Sequence, residues 1–206
     1  MKKKESNEVL EVCKILNKIG ALNFGVFKLT SGKTSPYYID LRIVPSFPDL
    51  FHKVCNLYIK FIRHEIGINK FDRIAGIPVG GIPFASLIAY NLNKPFLYTR
   101  KSLRVHGRQK KIEGVLTPGD RVLLIDDLIT TGFSLLEASR IILAEGGVTR
   151  DAVVLLDREE EGKEALEKSG IKIHALLKIS KVANKLYEIG AIDETQMKTI
   201  LKQIKK

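Results

Sequence analysis

Cysteine is scarce in this chain: Cys13 and Cys55 are the two it has, far apart and outside any C-x-x-C or His-rich context. That argues against a disulfide framework and leaves two reduced, buried thiols of an intracellular protein as the expectation. Histidine is also sparse. His52, His64, His106 and His174 show no metal-ligand spacing, which argues against zinc chemistry. No apolar run approaches the roughly 20 residues of a membrane span, so no membrane partner is expected. The start, MKKKESNEVLEVC, is basic but has no long apolar core after it; a secretory signal is not expected, and the cytoplasm is the expected location. Two nucleotide signatures are missing as well. Without G-x-x-x-x-G-K-[ST] the chain does not read as a P-loop NTPase, and without G-x-G-x-x-G after a strand it does not read as a dinucleotide-binding enzyme.

Acidic residues fall short too: 23 Asp and Glu stand against 34 Lys and Arg, a formal charge of +11. A basic protein can bind polyanions, but the distribution of the charge narrows this. Lys2 to Lys4 and Lys202, Lys205 and Lys206 read as solvated tails. The remaining concentration lies in one run, Arg100 to Lys111, which lacks the interleaved aromatics that stack on single-stranded bases, so no nucleic-acid partner is expected. The length of 206 residues, with 45% hydrophobic and 28% charged, fits one globular domain with a sizeable core.

The stretch that organises the rest is VLLIDDLITTGFS, Val122 to Ser134. Val122 to Ile125 are short and β-branched enough for a buried central strand of a parallel sheet, with a polar turn expected at once after them. Asp126 and Asp127 open that turn. Leu128, Ile129, Thr130, Thr131, Gly132, Phe133 and Ser134 complete it before LLEASRIILAEGG takes up helical spacing. A small, hydroxyl-rich loop entering a helix presents backbone N–H groups and the helix dipole to one phosphate. Carboxylates repel phosphate, so the acidic pair fits vicinal hydroxyls, or a metal ion between hydroxyls, and the ligand should carry a sugar and a phosphate. The competing reading is a βα connection with an N-cap.

Around that stretch the pattern alternates. Asn7 to Ile19 carries a helical apolar stripe closed by Gly20. Gly20 to Arg42 reads as a hairpin broken by SGKTSP, with Phe24, Phe27, Tyr37 and Tyr38 beside the turn. Pro48 to Ile66 is an amphipathic helix. Phe71 to Ile77 is a strand running into Pro-Val-Gly-Gly-Ile-Pro, a turn whose glycines let backbone approach a ligand. Helix Pro83 to Leu92 and strand Pro95 to Thr99 follow. Arg100 to Gly114, with no strand or helix period, reads as a loop. Strands Asp151 to Leu156 and Ile171 to Leu177 come next, then two closing helices split at Gly190 and Ala191. The fold class is therefore α/β, an open parallel sheet with ligands at the strands' carboxyl ends.

VLLIDDLITTGFS resembles the phosphoribosyl pyrophosphate (PRPP) motif of type I phosphoribosyltransferases, in which the acids hold the ribose hydroxyls and the loop holds the 5′-phosphate. From about Gly20 to Tyr187 the chain resembles orotate phosphoribosyltransferases, including the N-terminal segment of bifunctional UMP synthases. The resemblance implies a single domain spanning 1–206, with a small hood (roughly 1–45 plus the C-terminal helices) over a core (roughly 46–178) and no decarboxylase domain. It implies PRPP and orotate as substrates, Mg²⁺ bound mainly through PRPP, and a homodimer whose loop covers the neighbour's site. Tyr38 and Ile39 fall at the positions lining orotate, with Thr130 beside them and Arg158 on its carboxylate. Val79 and Gly80 fall in the pyrophosphate turn, where some bacterial members carry Lys at the Gly80 position. Arg100, Lys101, Arg104 and His106 match the family's RK-x-x-K-x-H-G loop. Arg104 stands at its catalytic Lys, so His106 is the better proton donor, since Arg has a pKa above ~12. Thr30 replaces another family Lys. The alternatives are a phosphoribosyltransferase for another base and a PRPP-sensing regulator.

Overall fold

A computed structural model describes residues 2–28, 34–100 and 111–204, with side chains from Leu10 onward. Helix α1 (Lys2–Lys18) starts earlier than its apolar stripe. Strands β1 (Leu22–Lys28) and β2 (Thr34–Ile39) form the expected antiparallel hairpin, and Thr30 lies outside the described residues. After a 3-10 turn, Leu41–Ser46, comes α2 (Pro48–Phe61), which runs on as a π turn to Ile66 and so fills the expected span. Pro48 suits the first helical position because its missing N–H would be unpaired there anyway.

The core is a six-stranded sheet in the order β5-β4-β3-β6-β7-β8. Its strands are β3 (Arg73–Gly76), β4 (Phe96–Thr99), β5 (Ile112–Glu113), β6 (Arg121–Ile129), β7 (Val148–Asp157) and β8 (Lys172–Lys178). All neighbours run parallel except β5, which pairs antiparallel with β4. That edge corrects the reading of Arg100 to Gly114 as loop throughout. Two of its residues pair as a strand, and Arg100 N–H donates to the Lys111 carbonyl at 2.8 Å, closing the neck of the excursion. Lys101, Arg104 and His106 lie outside the described residues.

β6 departs from expectation in a way that matters. The apolar run Val122 to Ile125 is buried, but the strand does not stop there: Asp126, Leu128 and Ile129 keep register with Val154, Leu156 and Asp157 of β7. The acidic pair thus belongs to the last residues of the central strand, and the turn begins at Thr130. Alternation along β6 buries both faces. Leu123 and Ile125 join a cluster with α2, α3 (Gly81–Leu92), α6 (Ile179–Glu188) and α7 (Glu194–Leu201). Val122 and Leu124 join a second with α4 (Phe133–Ala144) and α5 (Gly162–Lys168). The hairpin and closing helices lie on the first side, where α7 packs against β2 and α1 against α6.

Cys13 and Cys55 are free and buried; burial pushes their thiols up to about 11 and about 12, so neither is a ready nucleophile. Among the described residues no helix is long and apolar enough to cross a membrane.

Candidate functional site

The chain runs from β3 to β4 on one side and returns as β6 on the other, so the connections leaving β3 and β6 diverge at their carboxyl ends. Such a switch point opens a crevice in a parallel sheet. Here it is a cleft of about 720 Å³. Pro78, Val79 and Gly80 form one wall, Asp126 to Leu135 the floor and far wall, and Tyr38, Ile39, Asp40 and Arg42 come from the hairpin side.

At the floor, Asp126 Oδ1 accepts the Asp127 N–H at 2.9 Å and Asp127 Oδ1 accepts the Leu128 N–H at 2.8 Å. Beneath them the buried Tyr58 hydroxyl of α2 donates to the Asp126 carbonyl at 2.7 Å, fixing the strand end from behind. Burial raises the Asp127 carboxyl above the ordinary carboxylate range. The hydrogen bond with Asp126, the backbone N–H groups and the field of Arg42 each pull partly the other way.

The β3 wall owes its closeness to two glycines. Gly80 has φ −66°, which any residue adopts, so its requirement is space: a Cβ there would lie 2.1 Å from Asp127 Oδ2. At Gly81 the obstacle is backbone, with the Ile125 carbonyl oxygen 2.4 Å from the Cβ position. Gly80→Ala should therefore force Asp127 to swing aside and lower kcat/KM about tenfold through misplacement. The melting temperature should move little, since a side chain is what yields. Unchanged kinetics in a steady-state assay would show that Asp127 does not need its present position.

The far wall is the turn from Thr130 to Gly132 leading into α4. Gly132, at φ +75°, is its N-cap residue, and no side chain caps the helix. The stretch is a βα connection in which none of the hydroxyls caps the helix, so the first turn of α4 opens on the cleft with its dipole unmatched by a side-chain acceptor.

Residues 49–187 match the family model described as phosphoribosyl transferase domain. The orotate phosphoribosyltransferase of Cenarchaeum symbiosum is 38% identical over 90% of this chain and 92% of its own length. That of Sulfolobus acidocaldarius is 41% identical over 87% and 88%. The chain belongs to the orotate phosphoribosyltransferase family. Among solved structures, the UMP synthase of Leishmania donovani superposes with a TM-score of 0.84 at 35% identity, over 94% of this chain and 41% of that longer one.

In this orotate phosphoribosyltransferase the cleft gathers Tyr38, Ile39, Val79, Gly80, Asp126, Asp127, Leu128, Ile129, Thr130, Thr131, Gly132, Phe133, Ser134 and Arg158. Arg158 is only 3% exposed. Its guanidinium stacks over the Tyr37 ring at 4.6 Å, donates to Ser35 Oγ at 3.2 Å and has Nε 3.1 Å from Glu160. Arg100 is not brought to the cleft; it pairs with Glu113 at 2.7 Å.

Sequence reading missed several residues of the cleft. Lys28, Asp40, Arg42 and Glu137 line it, Tyr58 props its floor, and Gly162 backs the Thr130 to Gly132 turn. Asp40 and Arg42 carried no strand-period signal, because they lie past the end of β2, at the cap and inside the 3-10 turn that follows it.

Proposed function

We propose that the cleft carries out the family's reaction through the residues gathered there. It would join the ribose 5-phosphate of PRPP to a ring nitrogen of orotate and release pyrophosphate. The supporting observation is that one cleft is lined by both an adjacent carboxylate pair and a helix N-terminus without a side-chain cap. The two suit the hydroxyls and the phosphate of a single sugar phosphate.

In this reading Asp126 and Asp127 accept hydrogen bonds from the ribose hydroxyls, and Thr130 to Ser134 take the 5′-phosphate on hydroxyl and backbone donors. Tyr38, Ile39 and Thr130 flank the orotate ring, and Arg158 answers its carboxylate. As pyrophosphate departs, the anomeric carbon becomes oxocarbenium-like and the anionic ring nitrogen captures it, so no covalent nucleophile is required. The protein's part is to orient the reactants and stabilise the separating charges. By the family resemblance, Arg100, Lys101, Arg104 and His106 would neutralise the charge of the departing pyrophosphate.

Mg²⁺ suits this donor set as a substrate-borne ion. Among the described residues no group of three or more His, Cys, Asp or Glu could hold a metal by itself, whereas Mg²⁺ commonly keeps its waters and takes one or two carboxylates plus phosphates. Asp126 and Asp127 would hold it through the ribose oxygens, and when bound it would neutralise diphosphate charge.

We further propose one phosphoribosyltransferase domain with hood and core, acting as a cytoplasmic homodimer with shared sites. A spectrophotometric assay of orotate consumption with PRPP and Mg²⁺, run against uracil and the purine bases, tests the activity. Orotate should be consumed selectively, and consumption of another base in its place would overturn the assignment. Mixing a loop variant such as Arg104→Ala with an acidic-pair variant should restore part of the activity. The absence of any recovery would count against sites shared between subunits.

A further inference from the structure

Outside the excursion 101–110, the cations that line the cleft among the described residues are Lys28, Arg42 and Arg158. Arg158 is buried, stacked on Tyr37, bonded to Ser35 and paired with Glu160, its Nε is without a hydrogen-bond partner among the described residues, and it is the cation already assigned to the orotate carboxylate. Lys28 is exposed at the end of β1. Arg42 differs from both. Its Nε donates to Asp40 Oδ1 at 2.7 Å, and its Nη2 donates to Asp40 Oδ2 at 2.9 Å and to the Tyr38 hydroxyl at 2.7 Å. A guanidinium has five N–H donors in a fixed plane. Three are committed, and Nη1 keeps two that have no hydrogen-bond partner among the described residues. The side chain is 53% exposed, so a ligand can reach it.

The 3-10 turn that carries Arg42 packs against β6, and the guanidinium's field reaches Asp127. Across from it, Gly80 leaves no room for a side chain, because the Asp127 carboxylate fills the place its Cβ would take. A cation cannot project from the β3 turn while Asp127 stays where it is. For a diphosphate lying between that turn and the ribose carboxylates, a fixed positive charge besides Mg²⁺ and the 100–111 run can come from the hairpin side.

We infer that Arg42, held flat by Asp40 and Tyr38, is a diphosphate-binding residue that grips the pyrophosphate group of PRPP from the hairpin side of the cleft. Placement favours diphosphate over the orotate carboxylate, since Arg42 lines the cleft on a turn that packs against β6, the strand that ends in Asp126 and Asp127, whereas Arg158 is the cation that flanks Tyr37 and Ser35. The bidentate hold by Asp40 fixes the plane before substrate arrives, which reduces the ordering that binding must impose.

This inference rests on the reading of the cleft as a PRPP site, and two measurements separate their failures. The first is steady-state kinetics of wild type, Arg42→Gln, Arg42→Lys and Lys28→Gln, varying PRPP and orotate independently. The second is calorimetric titration of the same proteins with inorganic pyrophosphate and Mg²⁺, which needs no turnover. Arg42→Gln should raise the PRPP KM and weaken pyrophosphate binding by about tenfold each, as loss of a charge-assisted hydrogen bond does, with the orotate KM unchanged. Arg42→Lys, which keeps the charge but loses the fork, should fall between. An effect on orotate KM alone would overturn the inference. So would loss of pyrophosphate binding in Lys28→Gln with none in Arg42→Gln. Should wild type fail to consume orotate while still binding pyrophosphate in an Arg42-dependent way, the assigned reaction falls and the inference stands.

Discussion

Replacing Asp126 and Asp127 together by Asn is expected to lower orotate turnover by about two to four orders of magnitude while the protein stays folded. Each carboxylate is assigned a charge-assisted hydrogen bond to ribose, worth about 1.5–3 kcal/mol, or roughly ten- to 150-fold. Asparagine keeps an Oδ1 acceptor, so the internal bonds from Asp127 N–H and Leu128 N–H can persist. Stability should move in the opposite direction to activity. The Asp127 carboxyl is raised above the ordinary value of about 3.9 by burial. Between that value and its own the folded chain holds a proton that the unfolded chain has lost, so stability falls as pH rises through this window. Above the window the full cost of the buried charge is present, and Asp127→Asn removes it. At neutral pH that single variant should melt at or above wild type, and the difference should shrink as pH falls toward about 4 and be gone below it. Melting curves across pH with parallel kcat/KM values check both halves. Near-normal turnover would remove the ribose role, and a lower melting point at neutral pH would show that the Asp127 charge supports the fold.

The opposed demands on Asp127 explain why part of this site was legible in the sequence. A carboxylate pair placed at the end of Val122 to Ile125 is costly, and a hydroxyl-rich turn beside it has no structural need of the acids. Local composition therefore pointed to a ligand. The end of the strand was not legible. Whether Leu128 and Ile129 are strand or turn depends on pairing with Leu156 and Asp157, nearly thirty residues on, and that register leaves no mark in the segment itself. The same holds for Ile112–Glu113, whose strand character comes entirely from lying beside Tyr98 and Thr99. Arg42 was passed over because a lone arginine after a hairpin has no local signature; its role depends on Asp40 and Tyr38 holding it and on Gly80 facing it.

Gly162 shows the same limit most sharply, and it carries the second large prediction. It starts α5, thirty residues after Gly132, yet its N–H donates to the Thr130 carbonyl at 2.9 Å. A Cβ on Gly162 would lie 2.4 Å from that oxygen and 2.9 Å from the Gly132 N, and a Cβ on Gly132 would in turn meet the Gly162 carbonyl oxygen at 3.0 Å. Two glycine backbones thus press against each other directly behind the turn assigned to the 5′-phosphate. Besides Ile129 Cγ1 at 2.8 Å, the atoms in the way are main chain and cannot rotate aside, so Gly162→Ala should shift the turn. Overpacking of this kind costs about 1–3 kcal/mol, which in a chain of this length lowers the melting temperature by roughly 2–12 °C. The kinetic effect should be larger, because donors displaced by about 1 Å can cost about a hundredfold. It should fall mainly on PRPP, with a smaller rise in the orotate KM because Thr130, whose carbonyl Gly162 presses on, is also assigned to the orotate ring. A Gly162→Ala protein that melts lower but binds PRPP as wild type does would mean that the Thr130 to Ser134 turn holds no phosphate. The sugar phosphate would then have to be anchored elsewhere in the cleft.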